Sequence, residues 1–170
     1  MKYIELIQGK DDDKISYFDL LSCDEWKAKR LTILNRDSHK CCECNRTKTI
    51  KLISGSAEYY YYNDENNKKI FCKEPIYLHI HHKLYILNRL PWEYDSEHLQ
   101  TLCSPCHERL HNNEDVKVWD ERQLKILEYG SCDRCSGKGY IKQYKHVEGG
   151  RCFKCLGHGY ILPLLTIKRQ

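Results

Sequence analysis

Four cysteine pairs of the form Cys-x-x-Cys are the feature that most limits how this chain can fold. They hold eight of its eleven cysteines and are Cys41 and Cys44, Cys103 and Cys106, Cys132 and Cys135, and Cys152 and Cys155. Two-residue spacing sets two sulfurs at the separation that a tetrahedral zinc ion requires, whereas disulfide frameworks are rarely built from such pairs alone. The spacing therefore predicts bound zinc and reduced thiols.

The low hydropathy of the chain points the same way. The chain has 170 residues, and its mean hydropathy of −0.73 allows only a modest apolar core, so we expect it to rely on bound metal for stability. The N-terminal stretch MKYIELIQGKDDDK has no apolar run of signal length, and no segment approaches the length of a membrane span. We expect a cytoplasmic protein without a membrane partner.

The distribution of charge says more about partners than the total charge does. The formal net charge is +4, but eight thiolates would add eight negative charges and two zinc ions only four positive ones. Residues 130–170 carry eight basic and two acidic side chains, an excess that suits a polyanion and equally suits a solvated surface. The candidate nucleic-acid contacts are Lys138, Lys142, Lys145, Arg151 and Lys154.

A helix is predicted over the stretch YFDLLSCDEWKAKRLTILNRDSHK, before the first cysteine pair. Ser22 and Glu25 have the spacing of a capping box, in which the serine is the N-cap and the glutamate lies three residues further on. The same helix would turn Trp26, Leu31 and Leu34 toward a core.

Residues 50–86 change to a pattern typical of strands. The candidate strands are IKLI, EYYYY, IFCK and YLHIHH, with the polar turn NDENNKK between the second and the third. The four consecutive tyrosines could stack on bases, but neighbours in a strand point to opposite faces. We therefore favour core and sheet-surface roles for them and place no site there.

The stretch CSPCHERLHNN predicts another helix, in which Ser104 is the cap and Asn112-Asn113 end the run. His107 and His111 lie four residues apart, so both would project from one face and could share one metal ion.

A further helix is predicted over EDVKVWDERQLKILEY, and Gly130 would end it. The tail that begins there is rich in glycine, cysteine and lysine. We place a domain boundary between residues 129 and 130.

Residues 20–112 together resemble the HNH endonucleases. The matching stretches are EWKAKR, ILNRDSHKCCEC, LHIHHKLYI, PWEY and LQTLCSPCH. The resemblance implies an α+β fold with a ββα-metal core, in which two strands and a helix surround one divalent ion. It also implies that Cys41, Cys44, Cys103 and Cys106 form a structural zinc site beside that core. Residues 1–129 would then be an HNH nuclease domain with an N-terminal strand or helix extension.

The resemblance also assigns roles to the histidines. It implies that His81 binds the catalytic metal together with His107 and His111, and that His82 is the general base. Since neighbours in a strand point to opposite faces, this assignment requires the strand to end or twist at the His-His pair. The residues by themselves allow the alternative that His79 and His81, on one face, are the ligands.

His98 departs from the family pattern, which has asparagine at this position. In the family that residue braces the base in large part through its backbone carbonyl, which any residue supplies, so His98 would keep this catalytic role. Its imidazole could instead fill the open coordination position and close the metal site. The catalytic ion would be Zn²⁺ or Ni²⁺, which three imidazoles hold tightly, or else Mg²⁺ or Mn²⁺.

The tail contains two repeats, CDRCSGKGY and CFKCLGHGY, that resemble the zinc-finger repeats of DnaJ-type co-chaperones. Glycines let the backbone turn under the sulfurs, so the two repeats would complete a second structural zinc site in a small β-hairpin module. Its ligands would be Cys132, Cys135, Cys152 and Cys155. Because the co-chaperones have four such repeats, a basic zinc hairpin that binds nucleic acid or a protein partner is favoured over a chaperone.

Three functional hypotheses follow. The first is a metal-dependent HNH endonuclease that hydrolyses phosphodiester bonds of nucleic acid, with DNA as the favoured substrate. The second is a catalytically silent zinc protein that binds nucleic acid. The third is a module whose tail binds a protein partner. A homodimer is compatible with the first, because a single ββα site cuts one strand.

Overall fold

The computed structural model describes residues 1–11, 14–114, 117–127 and 129–161, and it shows a small mixed α and β protein. The chain divides into two compact units. The first contains Met1–Lys29, Leu84–Tyr94 and Glu114–Gln170, and the second contains Arg30–Lys83 and Asp95–Asn113. The domain boundary predicted between residues 129 and 130 requires that the segments on either side fold alone. It stays a prediction.

The N-terminal extension is helical. The described residues before Asp37 form three α-helices, which are α1 (Tyr3–Gly9), α2 (Tyr17–Leu21) and α3 (Asp24–Arg36). In the first unit, a buried cluster forms around Leu6, Leu20 and Cys23. None of the described helices is both long and apolar enough to cross a membrane.

A capping box is present, but it lies one helix earlier than predicted. The Ser16 hydroxyl accepts from the Asp19 N–H at 3.2 Å, and the Asp19 carboxylate accepts from the Ser16 N–H at 2.7 Å, which starts α2. The capping box predicted at Ser22 and Glu25 is wrong, because Ser22 ends α2 and Glu25 accepts from the backbone N–H of Tyr3.

The buried face of α3 differs from the prediction at one position. Trp26 and Leu34 are buried as predicted, whereas Leu31 is 53% exposed and Ile33 is fully buried. Ile33 and Leu34 lie seven and eight positions after Trp26, so the three side chains project from one side of the helix. Leu31 lies five positions after Trp26 and therefore points away from that side.

Three exposed strands of the second unit form an antiparallel meander. They are β1 (Ile50–Ser54), β2 (Ala57–Asn63) and β3 (Lys69–Cys72). The turn between β2 and β3 closes on Asp64, whose carboxylate accepts from the backbone N–H groups of Asn66 and Lys68. All residues of these strands are described and none is buried. The core role predicted for the tyrosines is therefore wrong, and the sheet-surface role is correct.

A second pair of strands in the same unit leads into a helix. β4 (Leu78–His82) pairs antiparallel with β6 (Leu99–Cys103), and α4 (Ser104–Asn113) follows β6 directly. The pair has a buried apolar side, since Leu78 and Ile80 of β4 are 7% and 9% exposed and Leu99, on the same face of β6, is not exposed at all. The Ser104 hydroxyl accepts from the backbone N–H of Tyr77 at 3.1 Å, which joins the start of α4 to the start of β4.

Three two-residue strands form a small sheet in the first unit. β5 (Tyr85–Ile86) lies parallel to β7 (Val118–Trp119), which pairs antiparallel with β8 (Ile126–Leu127). The helix predicted over residues 114–129 is therefore wrong in its described part; residues 115, 116 and 128 lie outside the described residues. The Asp120 carboxylate accepts from the N–H groups of Leu124 and Lys125, so a turn replaces the helix.

The described part of the tail, residues 130–161, consists mostly of turns. Two isolated antiparallel bridges join Ser131 to Tyr160 and Tyr140 to Arg151. In the part of the tail that the structure describes, only these two bridges remain of the predicted β-hairpin. The residues between them form the turns that carry the cysteines and therefore do not pair as strands. Residues 162–170 of the predicted module lie outside the described residues.

Candidate metal centres

Three histidines of the second unit converge on one point. His81 lies on β4, while His107 and His111 lie on α4, and a ring nitrogen of each falls within 4.8 Å of the others. The Nε2 atoms of His107 and His111 are 3.2 Å apart. The ring centroid of His81 is 5.4 Å from that of His107 and 5.1 Å from that of His111. The four-residue spacing on α4 and the packing of this helix against β4 produce the convergence.

The environment keeps the imidazoles of His81 and His107 neutral, which is the form that binds metal. Burial, assisted by the nearby ring of His111, lowers the pKa of His81 to about 3. Burial and the same neighbour lower the pKa of His107 well below its ordinary value. At neutral pH the lone pairs of both rings are therefore available to a cation.

The donor set fits a divalent transition metal. The Nδ1 atom of His81 is buried and makes no hydrogen bond to any described residue, although buried polar atoms are normally paired. Three imidazoles are a common set of protein ligands for zinc or nickel, and such a set leaves coordination positions open for water or substrate.

A fourth histidine stands at the edge of this group. His79 is exposed, and its ring stacks on that of His107 with the centroids 5.1 Å apart and the planes 12° from parallel. It lies on the same face of β4 as His81, because the two are separated by one residue. The convergent set is nevertheless His81 with the two helical histidines, and His79 is outside it.

His82 and His98 also lie outside the three-histidine group. His82 is the last residue of β4 and is 3% exposed, and strand alternation turns it to the face opposite His81. His98 ends the 3-10 turn Ser96–His98, and its backbone carbonyl accepts from the N–H of Lys83 at 2.9 Å. The Nδ1 atom of His98 is buried and has no hydrogen-bond partner among the described residues.

A cluster of four cysteines lies in the same unit and could hold a structural zinc ion. Its sulfurs lie within 4.8 Å of one another and belong to Cys41, Cys44, Cys103 and Cys106. The first pair is in the loop after α3, and the second pair spans the junction of β6 and α4. Cys42 is exposed and is not part of the cluster. The cluster ties the helix that carries His107 to the loop after α3.

The thiols of this cluster need a cation in order to ionise together. Burial opposes ionisation of Cys41, but N–H groups of Cys103, Cys44 and Glu43 outweigh burial and lower its pKa to about 7. Burial raises the pKa of Cys103 to about 11 and that of Cys106 further still. A bound divalent ion stabilises thiolates directly and would lower the pKa values of all these thiols.

The tail holds a second four-cysteine cluster, built from two equivalent turns that are 20 residues apart. All four sulfurs are buried and lie within 4.8 Å of one another; they belong to Cys132, Cys135, Cys152 and Cys155. The N–H of Cys132 donates to the carbonyl of Gly159, and the N–H of Cys152 donates to the carbonyl of Gly139, each at 2.9 Å. Each repeat therefore holds the first cysteine of the other repeat by a backbone hydrogen bond.

Two glycines in the tail are required by close backbone approach. The N–H groups of Gly139 and Gly159 donate to the sulfurs of Cys135 and Cys155 at 3.2 and 3.3 Å. Both glycines have positive φ, at 67° and 84°, and a Cβ atom on either would collide with the backbone of the facing repeat. These contacts explain why each repeat carries glycine at its last position before the tyrosine.

The basic residues expected to contact nucleic acid are not equally available. Lys138, Lys142 and Lys145 are exposed. Lys154 is exposed but pairs with Asp133 at 2.6 Å. Arg151 is only 13% exposed and pairs with Glu148 at 2.8 Å.

Sequence patterns missed Asp37, which braces the strand that leads into the candidate site. It follows α3 and accepts from the backbone N–H of Thr101 on β6 at 2.9 Å. This contact spans 64 residues, and the only local signal is that Asp37 follows Arg36.

Comparison of the chain with protein-family profiles, with curated proteins and with solved structures found no match in any of the three. The functional proposal therefore rests on the geometry of the clusters.

Proposed function

We propose that this protein is a metal-dependent endonuclease of the HNH class, which hydrolyses phosphodiester bonds in nucleic acid, with DNA as the favoured substrate. The observation that carries the proposal is the convergence of His81, His107 and His111 at the junction of two antiparallel strands and a helix. The nearby four-cysteine cluster supports it, since a structural zinc ion there would hold the helix in place.

The proposed chemistry divides between the base and the metal. His82 takes a proton from a water molecule, and the resulting hydroxide attacks phosphorus in line with the leaving 3′ oxygen. The backbone carbonyl of His98, bonded to the N–H of Lys83, positions the turn that follows His82. A divalent ion held by the three histidines would supply positive charge to the pentavalent transition state and the leaving oxygen.

The position of His82 bears on the split of roles between the paired histidines. His82 is the last residue of β4 and still pairs with Leu99, so it faces the side opposite His81. To act as the base beside the metal, the His82 ring has to turn to the side of His81.

One observation favours the second candidate, a catalytically silent zinc protein that binds nucleic acid. His82 is 3% exposed, whereas a general base has to reach water and substrate. In that case the three histidines hold a third structural metal.

Cleavage of supercoiled plasmid by the purified full chain separates the two candidates. The protein is loaded with zinc at its cysteine clusters and supplied in turn with Mg²⁺, Mn²⁺, Ni²⁺ or Zn²⁺. We expect nicked plasmid, because one site cuts one strand. His82→Ala should reduce the rate about 100-fold or more, the usual contribution of a general base.

The matched control is His146→Ala, which changes an exposed histidine of the tail and should leave the rate unchanged. Absence of cleavage with all four ions, in protein with full zinc content, would contradict the endonuclease proposal and favour the silent protein. Undiminished cleavage by His82→Ala would contradict only the role of His82 as general base and would leave the endonuclease proposal standing.

A further inference from the structure

One face of the exposed meander carries a block of five apolar side chains. Strand alternation and register place them together, since Ile50 lies opposite Tyr61, Leu52 opposite Tyr59, and Tyr61 opposite Phe71. Tyr61 is half-buried, and the other four are between 43% and 60% exposed. We call these five residues the aromatic face. Contiguous apolar surface of this kind usually marks a binding site.

The rings of the aromatic face lie close together, with a lysine over one of them. The centroids of Tyr61 and Phe71 are 5.8 Å apart with the planes tilted by 48°. Tyr59 and Tyr61 are two residues apart on β2, roughly 6.8 Å along the strand, which leaves room for successive splayed bases. The ammonium group of Lys69 lies 4.9 Å from the centroid of the Tyr61 ring.

The charge of the meander favours an anionic ligand. Residues 46–73 carry six basic side chains and three acidic ones. Of the basic ones, Lys69 lies on the aromatic face, whereas Arg46 lies over Tyr62 and Lys51 pairs with Glu58 on the opposite face. Bases stack on aromatic rings while phosphates pair with lysine, so a single-stranded nucleic acid satisfies both features. An apolar protein segment would cover the rings but would leave the positive excess unused.

We infer that the aromatic face binds unpaired bases of single-stranded nucleic acid, with Tyr59, Tyr61 and Phe71 as stacking platforms and Lys69 beside the phosphates. The choice of nucleic acid as ligand rests on the proposed function. Paired bases are hidden in the stack of a duplex, so the aromatic face selects unwound or unpaired segments. It would thereby direct the nuclease site toward such segments.

Fluorescence anisotropy of labelled oligonucleotides tests this inference on the full zinc-loaded chain. The probes are a fluorescein-labelled 12-nucleotide oligothymidine, an oligouridine of equal length and a DNA duplex, without any further divalent ion. Tyr59→Leu, Tyr61→Leu and Phe71→Leu keep the apolar surface but remove the ring. Each should weaken binding of the single strands roughly tenfold and leave binding of the duplex unchanged.

The matched control is Tyr60→Leu, the same change on the same strand but on the opposite face. Tyr60 donates to Glu58 at 3.0 Å and is not part of the aromatic face. It should bind single strands like the unchanged protein. Circular dichroism and zinc content confirm that each variant is folded.

Several outcomes would overturn the inference. The first is that the unchanged protein binds neither single strand. The second is that the three ring variants bind the single strands as tightly as the unchanged protein does. The third is that the ring variants lose as much affinity for the duplex as for the single strands. Self-association that is lost in Phe71→Leu while oligonucleotide affinity is kept would instead assign the face to a second copy of the chain.

The plasmid assay keeps this inference separate from the proposed function. Ring-dependent binding without any cleavage would support the aromatic face and contradict the nuclease. Plasmid cleavage, together with unchanged oligonucleotide affinity in the ring variants, would support the nuclease and contradict the aromatic face.

Discussion

Asp37 shows how one side chain can connect distant segments of the second unit. Its carboxylate accepts from the Arg36 guanidinium at 2.7 Å and from the backbone N–H of Thr101 at 2.9 Å. Arg36 in turn donates to the carbonyl of Leu99 at 2.8 Å. Burial opposes ionisation, but these donors outweigh it and hold the pKa of Asp37 well below its ordinary value. The end of α3 is thereby bonded to β6, the strand that leads into α4.

Replacing this carboxylate should destabilise the second unit. We expect Asp37→Ala to lower the free energy of unfolding by roughly 1–3 kcal/mol, because the N–H of Thr101 loses its partner in a buried position. Urea denaturation of the zinc-loaded protein measures the change. Asp133→Ala is the control, since its carboxylate is 73% exposed and its pair with Lys154 contributes little. Equal stability of the two variants would contradict the bracing role.

The three-histidine group should bind a metal that the cysteines do not. We expect Co²⁺ added to zinc-loaded protein to bind at His81, His107 and His111 without sulfur-to-metal charge-transfer absorption. His107→Ala should weaken this binding more than tenfold, because a ligand is lost. Isothermal titration calorimetry with Co²⁺ gives the affinity, and His39→Ala, which changes a histidine in the turn after α3, is the control. Unchanged affinity in His107→Ala would contradict the site.

At the scale of elements, the two cysteine turns of the tail depend on each other through backbone contacts. Each turn donates from its first cysteine to the last glycine carbonyl of the other. The bridges at their ends are single, so the described residues of the tail contain no continuous strand. The glycine contacts, together with a zinc ion that the four cysteines could hold, would thus replace a β-ladder as the source of local order.

Gly139→Ala should abolish the zinc site of the tail. The new Cβ would collide with the backbone of Gly157, so the facing turn cannot close. Gly149→Ala is a matched control, because Gly149 has the same φ of 67° but a Cβ added there would have nothing within 4 Å among the described residues. The control should lose only about 1–2 kcal/mol of stability from backbone strain. Cysteine-bound zinc, assayed by thiol modification and a chelating dye, should fall from two ions to one in Gly139→Ala only.

Elements with strong local signals were predicted well, and those with mixed signals were not. α4 covers the predicted stretch, although Ser104 is its first residue and its hydroxyl bonds Tyr77 instead of capping the helix, and the strands at β1 to β4 follow the β-rich stretches. Residues 114–129 contain good helix formers, yet Asp120 takes the backbone donors of a turn and the flanking pairs join a sheet. Such competition between local propensity and long-range pairing cannot be resolved from one segment.

At the scale of the whole molecule, zinc bound at the two four-cysteine clusters would contribute cross-links that the modest apolar core does not. The cluster of the second unit connects Cys44 to Cys103 across 59 residues, with their sulfurs 3.5 Å apart. Closing a loop of this length by a metal restricts the unfolded chain strongly. The folded state should therefore depend on zinc.

Removing one ligand of this cluster should unfold the second unit but not empty the tail. We expect Cys103→Ser to lose one of the two cysteine-bound zinc ions and most of the cooperative thermal transition. The remaining zinc stays at the tail cluster, whose ligands are separate. Zinc content and circular dichroism measure both effects, and Cys42→Ser, an exposed cysteine outside the cluster, is the control. Full zinc content in Cys103→Ser would contradict the assignment.

The sequence by itself determined the local chemistry: which cysteines form the turns that could hold zinc, and that His107 and His111 share a helix face. Both follow from spacings of three or four residues, which backbone geometry converts directly into position. Only the tertiary structure decided that His79 stays outside the group that His81 forms with those two histidines, and that the tyrosine-rich meander has no buried residue. The reason is that burial and convergence depend on contacts between residues far apart in the chain, and no local pattern encodes which of several compatible pairings forms.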